Sequence, residues 1–574
     1  MPSRAAARAE KRIASAPPAP LPRWFRPLVA ALATVFLLGL FSPDAYDSDF
    51  WWHLKTGQYL WQQHRMPAPD PFTYTTNLGS PAYAGELVTR QFNLTHEWLA
   101  QIWIYLTYRL GGFAGVVLVR AAVLTMFCAL IALVTYRRCG GFYRAVGAAC
   151  VTASVAVTFA QDRPFVISFL LLAGVLAILE FRRWLWLLPV LMVVWSNAHG
   201  GYLLGWAVLL AYGAEALIVR RGDRRLPLIA GIAILASGLN PNGFQAARVL
   251  LYYRRSFLTS SLQEWHSPEL WPPRVFVWLL AGAIVVLVWQ RRRVRPVDWI
   301  LLALFGIASL TAERNTILIA MVAPIWMATY FPWRGSLPRA AEFAAAALLV
   351  AALGVGVARG HFFQLRAALW KYPVGAADFL LAHHITVPMF NSYEFGGYLI
   401  WRLWPQERVF IDGRALNESV FQDYARILYN HDESGGPSAS QLLDRYGVQM
   451  IVMNGFEYAS GELYKLAPSL ASPDETEWKL AYGDAQAVIF MRQPPVDVEV
   501  LPPLQVFDYL EAQCGTHITQ EPRYPLCARS LAQAFMKIRD LTRARRWLGV
   551  YLAHPHAADA EAEQTYQQLL SSGH

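Results

Sequence analysis

Long apolar runs alternate with short polar and basic segments over the first two thirds of the chain. About eleven of these runs approach the roughly 20 residues that an α-helix needs to cross about 30 Å of hydrocarbon. We place them at residues 24–41, 114–136, 145–160, 164–181, 184–197, 201–219, 226–239, 275–290, 297–312, 315–332 and 340–357. Beyond residue 360 the pattern is polar enough for a water-soluble domain. The pattern therefore predicts a polytopic α-helical membrane protein with an external domain.

Charge is distributed unevenly between the connections of these runs. Lys and Arg cluster in alternate connections, at residues 4–26, 137–138, 182–183, 220–225, 291–295 and 334–339. Because short cytoplasmic loops retain basic residues, this alternation predicts a cytoplasmic N-terminus and an external C-terminus. It also accounts for the net charge of +10, so no nucleic-acid partner is expected. We expect a multi-pass protein of a bacterial-type inner (cytoplasmic) membrane, surrounded by membrane lipids, with a periplasmic C-terminal domain.

The apolar runs and the alternation of basic connections also divide the chain into regions. We expect a disordered cytoplasmic tail at 1–23, a transmembrane domain at 24–359 with a large first external loop at 42–113, an external α/β domain at 360–500, and a helical region at 501–574. Residues 97–110 are apolar enough for a short span, but counting them as one would invert every later loop against the charge rule. We therefore place them at the outer interface.

The external region holds short runs that predict particular elements. Within residues 375–492, the runs PMFN, RVFIDG, VQMIVM and AVIFMR are typical of strands. Helical patterns lie between them at 375–383, 418–430 and 438–446. From residue 526 on, the spacing of the apolar residues matches one tetratricopeptide-like hairpin, which could bind a protein partner; a plain helical hairpin fits nearly as well.

Two smaller features of the external region have alternative interpretations. Asp412-Gly413-Arg414 follows an apolar run and is either a strand-ending turn or a site, and we favour the turn. Cys514 and Cys527 lie in the compartment where disulfides form, so they are candidates for a bridge, with two buried free thiols as the alternative.

Acidic and imidazole side chains are concentrated in the first external loop. Asp47 and Asp49 follow the first span directly, and two carboxylates so close together can bind a metal, a phosphate-bound metal or a proton. Asp49 and His53 are four residues apart, so on a helix they would share a face. His96 and Glu97 precede the interfacial segment, where Glu97 is either a binding residue or only a helix cap. Because ionisable residues at membrane depth are costly, all five are functional candidates.

Later external turns add charged pairs at the ends of other spans. Asp162-Arg163 and Glu313-Arg314 are either local ion pairs or parts of a shared site, and the sequence leaves both interpretations open. In a shared site, the two arginines would hold phosphate oxygens through the planar guanidinium fork.

The segment DSDFWWHLKTG is followed by Pro67, Asp70-Pro71-Phe72 and Tyr74. This combination resembles the first external loop of the GT-C superfamily of polyprenyl-linked glycosyltransferases, in particular the oligosaccharyltransferase catalytic subunits and the protein mannosyltransferase-like bacterial enzymes. The resemblance implies a bundle of many spans, a catalytic acidic residue just after the first span, and a soluble C-terminal domain on the same side.

The resemblance also implies roles for individual residues. Asp49 matches the catalytic acid of the family and Asp47 its companion, while Asp162 and Arg314 fall where members place a second acidic residue and a phosphate-binding arginine. The segment SYEFG at 392–396 is similar to the family pattern Trp-Trp-Asp-Tyr-Gly, but it lacks both Trp, which puts recognition of an acceptor peptide in doubt.

The implied reaction is the transfer of a sugar from a polyprenyl-phosphate-linked donor to a glycan, lipid or protein acceptor on the outer face, with inversion. Asp49 would be the base. The further substrate-binding candidates are His53, His96, Glu97, Arg163, Glu313 and Arg314. Mg²⁺ or Mn²⁺ could instead be held by Asp47, Asp49 and Asp162, and the use of a metal stays open.

Two other classes of protein fit the same pattern less well. A transporter or flippase of a lipid-linked saccharide would usually keep its charges near the middle of the bilayer and carry internal repeats, whereas here the acidic residues lie at span ends. A non-catalytic envelope assembly protein would not need two adjacent carboxylates in its first loop. We therefore expect an enzyme.

Overall fold

The computed structural model describes residues 22–219, 223–261, 263–332, 337–429, 436–472 and 474–571. Most of the predicted tail at 1–23 lies outside the described residues, as do Arg220, Arg221 and Arg334 of the basic connections. Helices dominate the described part of the first 360 residues. In chain order they are α1 (Phe25–Leu40), α2 (Asp49–Gln63), α3 (Glu86–Thr95), α4 (Trp98–Cys139), α5 (Phe142–Ala156), α6 (Phe165–Phe181), α7 (Leu187–Ala198), α8 (Tyr202–Ile218), α9 (Arg225–Ala236), α10 (Gln245–Tyr253), α11 (Leu258–Ser261), α12 (Val275–Trp289), α13 (Pro296–Thr311), α14 (Thr316–Tyr330) and α15 (Arg339–Ala358).

Each predicted span coincides with one of these helices. Among the described residues, three stretches are long and apolar enough to cross a membrane: Glu86–Cys139, Phe142–Phe159 and Arg339–Ala358. Helices α1, α6, α7, α8, α9, α12 and α13 are apolar but shorter, at 10–17 residues. The chain thus has the apolar helices of a multi-pass membrane protein, while the number of spans and their orientation stay predictions.

The segment that we placed at the interface is separated from the following span by a kink. Helix α4 changes direction at Gly112, whose φ of 59° and ψ of −151° are not helical. A positive φ is easily reached only by glycine, so the Gly111-Gly112 pair permits this bend. Residues 98–110 are therefore a separate helical arm at one end of the bundle.

A buried ion network joins four helices at the end of the bundle that carries the basic connections. Arg138 donates to both carboxylate oxygens of Asp298, at 3.0 and 2.5 Å. Arg295 donates to Glu180 at 2.8 Å and to Glu215 at 2.7 Å. The network ties α4, α6, α8 and α13 together, and loss of one partner would leave a buried charge unpaired.

The rest of the chain follows α15. We keep the name external domain for it, and the side of the membrane on which it lies stays a prediction. Its elements are α16 (Val374–Ala382), β1 (Met389–Asn391), α17 (Tyr393–Leu403), α18 (Glu418–Tyr429), α19 (Ala439–Arg445), β2 (Met450–Met453), β3 (Phe456–Glu457), β4 (Glu462–Leu463), α20 (Leu466–Leu470), β5 (Lys479–Gly483), β6 (Val488–Met491), α21 (Val506–Gln520), α22 (Leu526–Lys537), α23 (Leu541–Ala553) and α24 (Ala560–Ser571). Short 3₁₀ turns lie at Val157–Phe159, Gln263–Trp265, Glu313–Asn315, Leu369–Lys371 and Pro503–Gln505.

Four of the strands form a mixed sheet in the order β1-β2-β6-β5. Strand β1 runs parallel to β2, with Phe390 opposite Ile451, and β6 is antiparallel to both β2 and β5. All residues of β1, β2 and β6 are buried, as expected for apolar runs covered on both faces. Helix α19 begins at a capping box in which Ser438 and Gln441 satisfy each other's backbone N–H groups.

The prediction of a strand at RVFIDG was wrong. Val409 forms only an isolated bridge with Thr73 of the first external loop. The Tyr74 N–H donates to the Val409 carbonyl at 3.1 Å, and the Asn391 side chain accepts from the Phe410 N–H at 2.8 Å. The backbone of this segment is therefore satisfied by the first loop and by a side chain, rather than by the sheet.

The last four helices pack on the sheet domain in one shared hydrophobic core. Helices α22 and α23 form the predicted hairpin, with Phe535 and Leu548 buried between them. Whether this hairpin is a tetratricopeptide unit stays a prediction. Cys514 of α21 and Cys527 of α22 are joined by a disulfide, so the bridge connects two helices instead of closing a long loop.

A separate hydrophobic core is shared by the first external loop and the external domain. Trp51 of α2 contacts Tyr372 and Tyr398 edge-on, with ring centroids 5.2 and 4.9 Å apart. A Cβ atom at Gly397 of α17 would lie 2.6 Å from the Ser48 carbonyl oxygen, so only glycine permits this contact. Helix α2 is thereby fixed between the membrane bundle and the external domain. This position explains why its sequence is more amphipathic than that of a membrane span.

Candidate active site

Asp47 and Asp49 lie at the start of α2 and share one arginine. The Arg163 Nε donates to Asp47 Oδ1 at 2.9 Å, and its Nη2 lies 3.1 Å from Asp49 Oδ2. Asp47 Oδ1 also accepts from the Asp49 N–H at 2.8 Å, which satisfies a free donor at the helix start. Arg163 comes from the turn before α6, so the contact joins two external turns that are 114 or more residues apart.

Burial sets the electrostatics of this pair. The Asp47 and Asp49 side chains are 5% and 12% exposed, whereas the Arg163 side chain is 25% exposed. Burial raises the pKa of Asp49 to about 7, against the opposing effect of Arg163. A carboxylate with such a pKa can accept a proton near neutral pH, which suits a general base.

Asp162 does not pair with its sequence neighbour Arg163. It accepts from Arg120 of α4 at 2.5 Å, and Arg120 also donates to the Phe41 carbonyl at 3.3 Å. Burial raises the pKa of Asp162 to about 6, and Arg120 opposes that shift. Asp162-Arg163 is thus not a local ion pair; its two side chains pair with different helices.

The residues proposed for a metal do not fit one in this arrangement. Arg163 lies between Asp47 and Asp49, and Arg120 holds one oxygen of Asp162. Among the described residues, no group of three His, Cys, Asp or Glu side chains is arranged to hold a metal ion. The cation next to these carboxylates is a guanidinium.

Two arginines lie on either side of an exposed carboxylate beside the aspartate pair. Glu264 Oε2 is 3.8 Å from Arg163 Nη1, and its Oε1 is 3.4 Å from Arg314 Nη1. The Arg314 guanidinium also lies over the Trp265 ring, 4.6 Å from the centroid. Both distances to Glu264 are long, and the Glu264 side chain is 44% exposed. Glu264 is thus an anionic group that contacts both guanidinium groups.

Glu313 faces away from this group. It forms a two-point ion pair with Arg274, with both N···O distances at 2.6 Å. Glu313-Arg314 is therefore not a local pair either, and Glu313 belongs to a neighbouring exposed contact.

Three histidines surround Glu97. Its carboxylate oxygens lie 3.3 Å from His96, 3.7 Å from His53 and 3.7 Å from His199. Glu97 is the N-cap residue of α4 but makes no side-chain capping bond there, and its carboxylate faces the three histidines. His53 therefore faces Glu97, although it follows Asp49 by one helical turn.

Burial keeps two of these imidazoles neutral. It lowers the pKa of His53 to about 3 and that of His199 to about 4, against the opposing effect of Glu97. The Gly201 N–H donates to His199 Nδ1 at 3.0 Å, so the proton of the neutral ring lies on Nε2, toward Glu97. The cluster is adjacent to the aspartate pair through the single helical turn from Asp49 to His53.

The turn Asp412-Gly413-Arg414 covers Asp49, which the sequence did not indicate. A Cβ atom at Gly413 would lie 1.8 Å from Asp49 Oδ1 and 3.3 Å from Trp52 Nε1. The φ of Gly413 is not positive, so glycine is needed here for close approach and not for backbone conformation. A turn of the external domain therefore forms one wall of the aspartate site.

Arg414 anchors this turn to the first external loop. It donates to both oxygens of Asp70 at 3.1 Å and to both oxygens of Asp412 at 2.7 Å. Its side chain is 4% exposed, so the three charges form a buried group. Thr73 also donates to Asp412. Asp70, part of the motif in the first loop, thereby fixes the turn that covers Asp49.

Solved structures provide the comparison for this arrangement. The oligosaccharyltransferase of Archaeoglobus fulgidus, tethered to an acceptor peptide containing the NVT sequon, superposes with a TM-score of 0.53 at 11% identity, over 83% of this chain and 75% of that chain. The chain therefore has a fold similar to that of this oligosaccharyltransferase. ArnT from Cupriavidus metallidurans in the apo state gives a TM-score of 0.48 at 14% identity, over 82% of this chain and 98% of that chain. No family profile and no curated protein matches the sequence.

This fold brings most of the predicted residues to one end of the bundle. Asp47, Asp49, Arg163 and Arg314 are linked through direct contacts and Glu264. His53, His96 and Glu97 form the adjacent cluster together with His199, the residue that follows α7. Sequence reasoning missed Arg120 as part of the site, and it ranked a site at Gly413 below a strand-ending turn. An arginine inside an apolar span was the available signal for Arg120.

Proposed function

We propose that this chain is an integral-membrane glycosyltransferase that moves a sugar from a lipid-phosphate-linked donor to an acceptor on the outer face. The observation that carries the proposal is the pairing of Asp49, a buried carboxylate with a pKa raised to about 7, with Arg163. This pair combines a base and a fixed positive charge, which are the two groups that such a transfer needs. The GT-C fold supports the general class of reaction.

In the proposed mechanism, Asp49 removes the proton from the acceptor group as that group attacks the anomeric carbon. The bond from the anomeric carbon to the phosphate oxygen breaks, and the phosphate leaves with the bonding electron pair. A single displacement of this kind inverts the configuration at the anomeric carbon. Asp47 and Arg163 hold Asp49 in position, and the Gly413 turn limits its movement.

The donor phosphate would lie between Arg163 and Arg314. The carboxylate of Glu264 lies at that place. Its distances to the two guanidinium groups, 3.8 and 3.4 Å, are longer than those of good ion-pair hydrogen bonds. A phosphate could replace this exposed carboxylate and bind both guanidinium groups. The positive charges would then stabilise the negative charge that develops on the departing phosphate.

The proposed mechanism uses guanidinium groups where a metal ion would otherwise compensate the carboxylates. Mg²⁺ or Mn²⁺ at Asp47, Asp49 and Asp162 would have to displace Arg163 and Arg120 from their carboxylates. In the proposed site these guanidinium groups supply the compensating charge.

The test is the variant Asp49→Asn, assayed with a panel of polyprenyl-phosphate sugars in membranes that contain the full chain. Loss of a general base should reduce donor turnover by about 10²-fold or more, with unchanged protein level. Asp44→Asn is the matched control, because it neutralises a half-buried carboxylate of the same loop that does not contact Arg163. Turnover near the wild-type rate in Asp49→Asn would refute the assignment of the base.

A further inference from the structure

Helix α10 and the residues directly after it pack on the protein through one face only. Val249 is buried on that face, and the Tyr253 hydroxyl donates to Asn93 of α3 at 2.7 Å. Just after the helix, the Ser256 hydroxyl donates to the carboxylate of Glu418, at the start of α18, at 2.7 Å. These contacts fix the rotation of α10 about its axis, so its other face is determined as well.

The other face of α10 combines basic and apolar side chains. It carries Arg248, Arg254 and Arg255, all of them exposed, together with Leu250 and Leu251, which are 51% and 60% exposed. At about 3.6 residues per turn, these five positions lie on the side of the helix away from its buried contacts. A short helix with exposed leucines among arginines is typical of a segment that lies on a membrane surface.

The three arginines of this face are unpaired. In the part of the chain that the structure describes, none of them forms an ion pair or a side-chain hydrogen bond. Neighbouring arginines differ, since Arg90 of α3 and Arg274 before α12 pair with glutamates at 3.2 and 2.6 Å. Three unpaired positive charges on one exposed face complement a negatively charged ligand.

The apolar surface of α9 continues onto this face. Exposed aliphatic side chains recur at helical spacing along α9 and the turn after it, as on a span that faces hydrocarbon. They are Leu228, Ile232, Leu235 and Leu239. The exposed ring of Phe244, the residue before α10, lies against Gly238, where an added Cβ atom would be 2.5 Å from the ring. Helix α10 therefore begins where the lipid-facing surface of α9 ends.

We propose that the exposed face of α10 binds anionic phospholipids at the membrane surface on this end of the bundle. The arginines would contact lipid phosphates, while Leu250 and Leu251 would lie at the boundary of the acyl chains. A phospholipid combines a negative charge with hydrocarbon, which are the two features that this face complements. Continuity with α9 favours lipid over a soluble partner or a second copy of the chain, because the surface of a span is already covered by lipid.

This lipid contact also reaches the proposed donor site, although it does not depend on the proposed glycosyl transfer. The ring of Tyr253 lies 5.4 Å from that of Trp265, measured between centroids. The guanidinium of Arg314 lies over the same Trp265 ring, at 4.6 Å. Lipid bound to α10 would therefore hold a helix that supports the side chain under Arg314.

The first test places the photoreactive residue p-benzoylphenylalanine at position 251 of the full chain in nanodiscs of phosphatidylglycerol and phosphatidylcholine. Irradiation should give an adduct with the mass of a phospholipid, identified by mass spectrometry. The same substitution at Leu504, which is 61% exposed in the external domain, is the matched control and should give no lipid adduct. Absence of a lipid adduct at 251, an equal yield at 504, or an adduct with protein alone would overturn the proposal.

The second test measures the charge preference by native mass spectrometry of the delipidated chain with each lipid. Each arginine near an anionic surface contributes about fivefold, so Arg248→Gln, Arg254→Gln and Arg255→Gln together should weaken phosphatidylglycerol binding at least tenfold. Phosphatidylcholine binding and thermal unfolding should not change, because the three side chains are exposed and unpaired.

A matched triple variant removes the same charge from the last part of the chain. It combines Arg523→Gln, Arg539→Gln and Arg545→Gln, whose arginines also lack an ion-pair partner among the described residues. It should bind phosphatidylglycerol as the wild type does. Equal losses in both triple variants would show an effect of net charge alone and overturn the proposal, as would unchanged phosphatidylglycerol binding in the α10 variant.

Discussion

Gly413→Ala should misplace the proposed catalytic carboxylate without removing any functional group. The added methyl carbon would lie 1.8 Å from Asp49 Oδ1, and contacts below 3.0 Å essentially do not occur. Either the turn or Asp49 must therefore move by about 1 Å. Arg414 holds the turn through four buried hydrogen bonds, whereas Asp49 is held by the partly exposed Arg163, so we expect the carboxylate to move.

The expected magnitude follows from that displacement. A shift of about 1 Å in a catalytic group can cost roughly 10²-fold in rate, which corresponds to about 2.7 kcal/mol of activation free energy. Overpacking should lower the free energy of unfolding by about 1–3 kcal/mol. We therefore expect kcat for donor turnover to fall about 10²-fold while the protein still folds.

The assay is donor turnover against pH, with kcat and KM separated, alongside a thermal unfolding curve of the same preparation. The control is Gly354→Ala in α15, where an added methyl carbon meets no heavy atom within 4 Å. Because the displaced Asp49 would leave its buried position, the acid limb of the pH profile should shift to lower pH in Gly413→Ala. A kcat within about threefold of the wild type, with an unchanged pH profile, would refute the close packing of this turn on Asp49.

Four further predictions concern the same site and the external helices. Asp49 must be ionised to act as a base, and its pKa is raised to about 7. Turnover should therefore be constant above that pH and should fall about tenfold per pH unit below it. A profile that is level down to pH 5 would contradict this role. Arg314→Ala should weaken donor binding about tenfold with little change in stability, since a charge-assisted contact contributes about 1.5–3 kcal/mol, and an unchanged affinity in folded protein would leave the phosphate site unassigned. Treatment with EDTA should leave turnover unaltered, because Arg163 lies between the paired carboxylates; restoration of lost activity by added Mn²⁺ would show a metal requirement. Cys514 and Cys527 should resist alkylation in unreduced, denatured protein, and labelling of both would exclude the bridge. In the chain-entropy model, a bridge with this spacing raises the free energy of unfolding by about 3 kcal/mol.

Local patterns determined the helices because apolar composition and helical periodicity are properties of adjacent residues. Every predicted span has a helix, and the helices at 418–430 and 438–446 begin within a residue of α18 and α19. Between residues 375 and 492 five elements were missed. They are α17, whose sequence contains two glycines, and the short elements β3, β4, α20 and β5. RVFIDG has the composition of a strand, but its hydrogen-bond partners come from the first loop, which no local pattern can indicate.

The sequence by itself identified Asp47 and Asp49, because adjacent carboxylates at a span end are visible in one short segment. It could not assign their partner. Asp162 and Arg163 are neighbours in the chain, yet one pairs with Arg120 and the other with the aspartates. Neighbouring side chains at a helix start point in different directions, so each finds its partner on whichever helix packs against that side.

Only the tertiary structure decided which backbone approaches the site. Gly413 looked like the middle of an ordinary turn, and its importance comes from Asp49, more than 360 residues earlier in the chain. The sequence determines which groups are available, whereas long-range packing decides which of them are buried together, and burial is what makes their charges chemically significant.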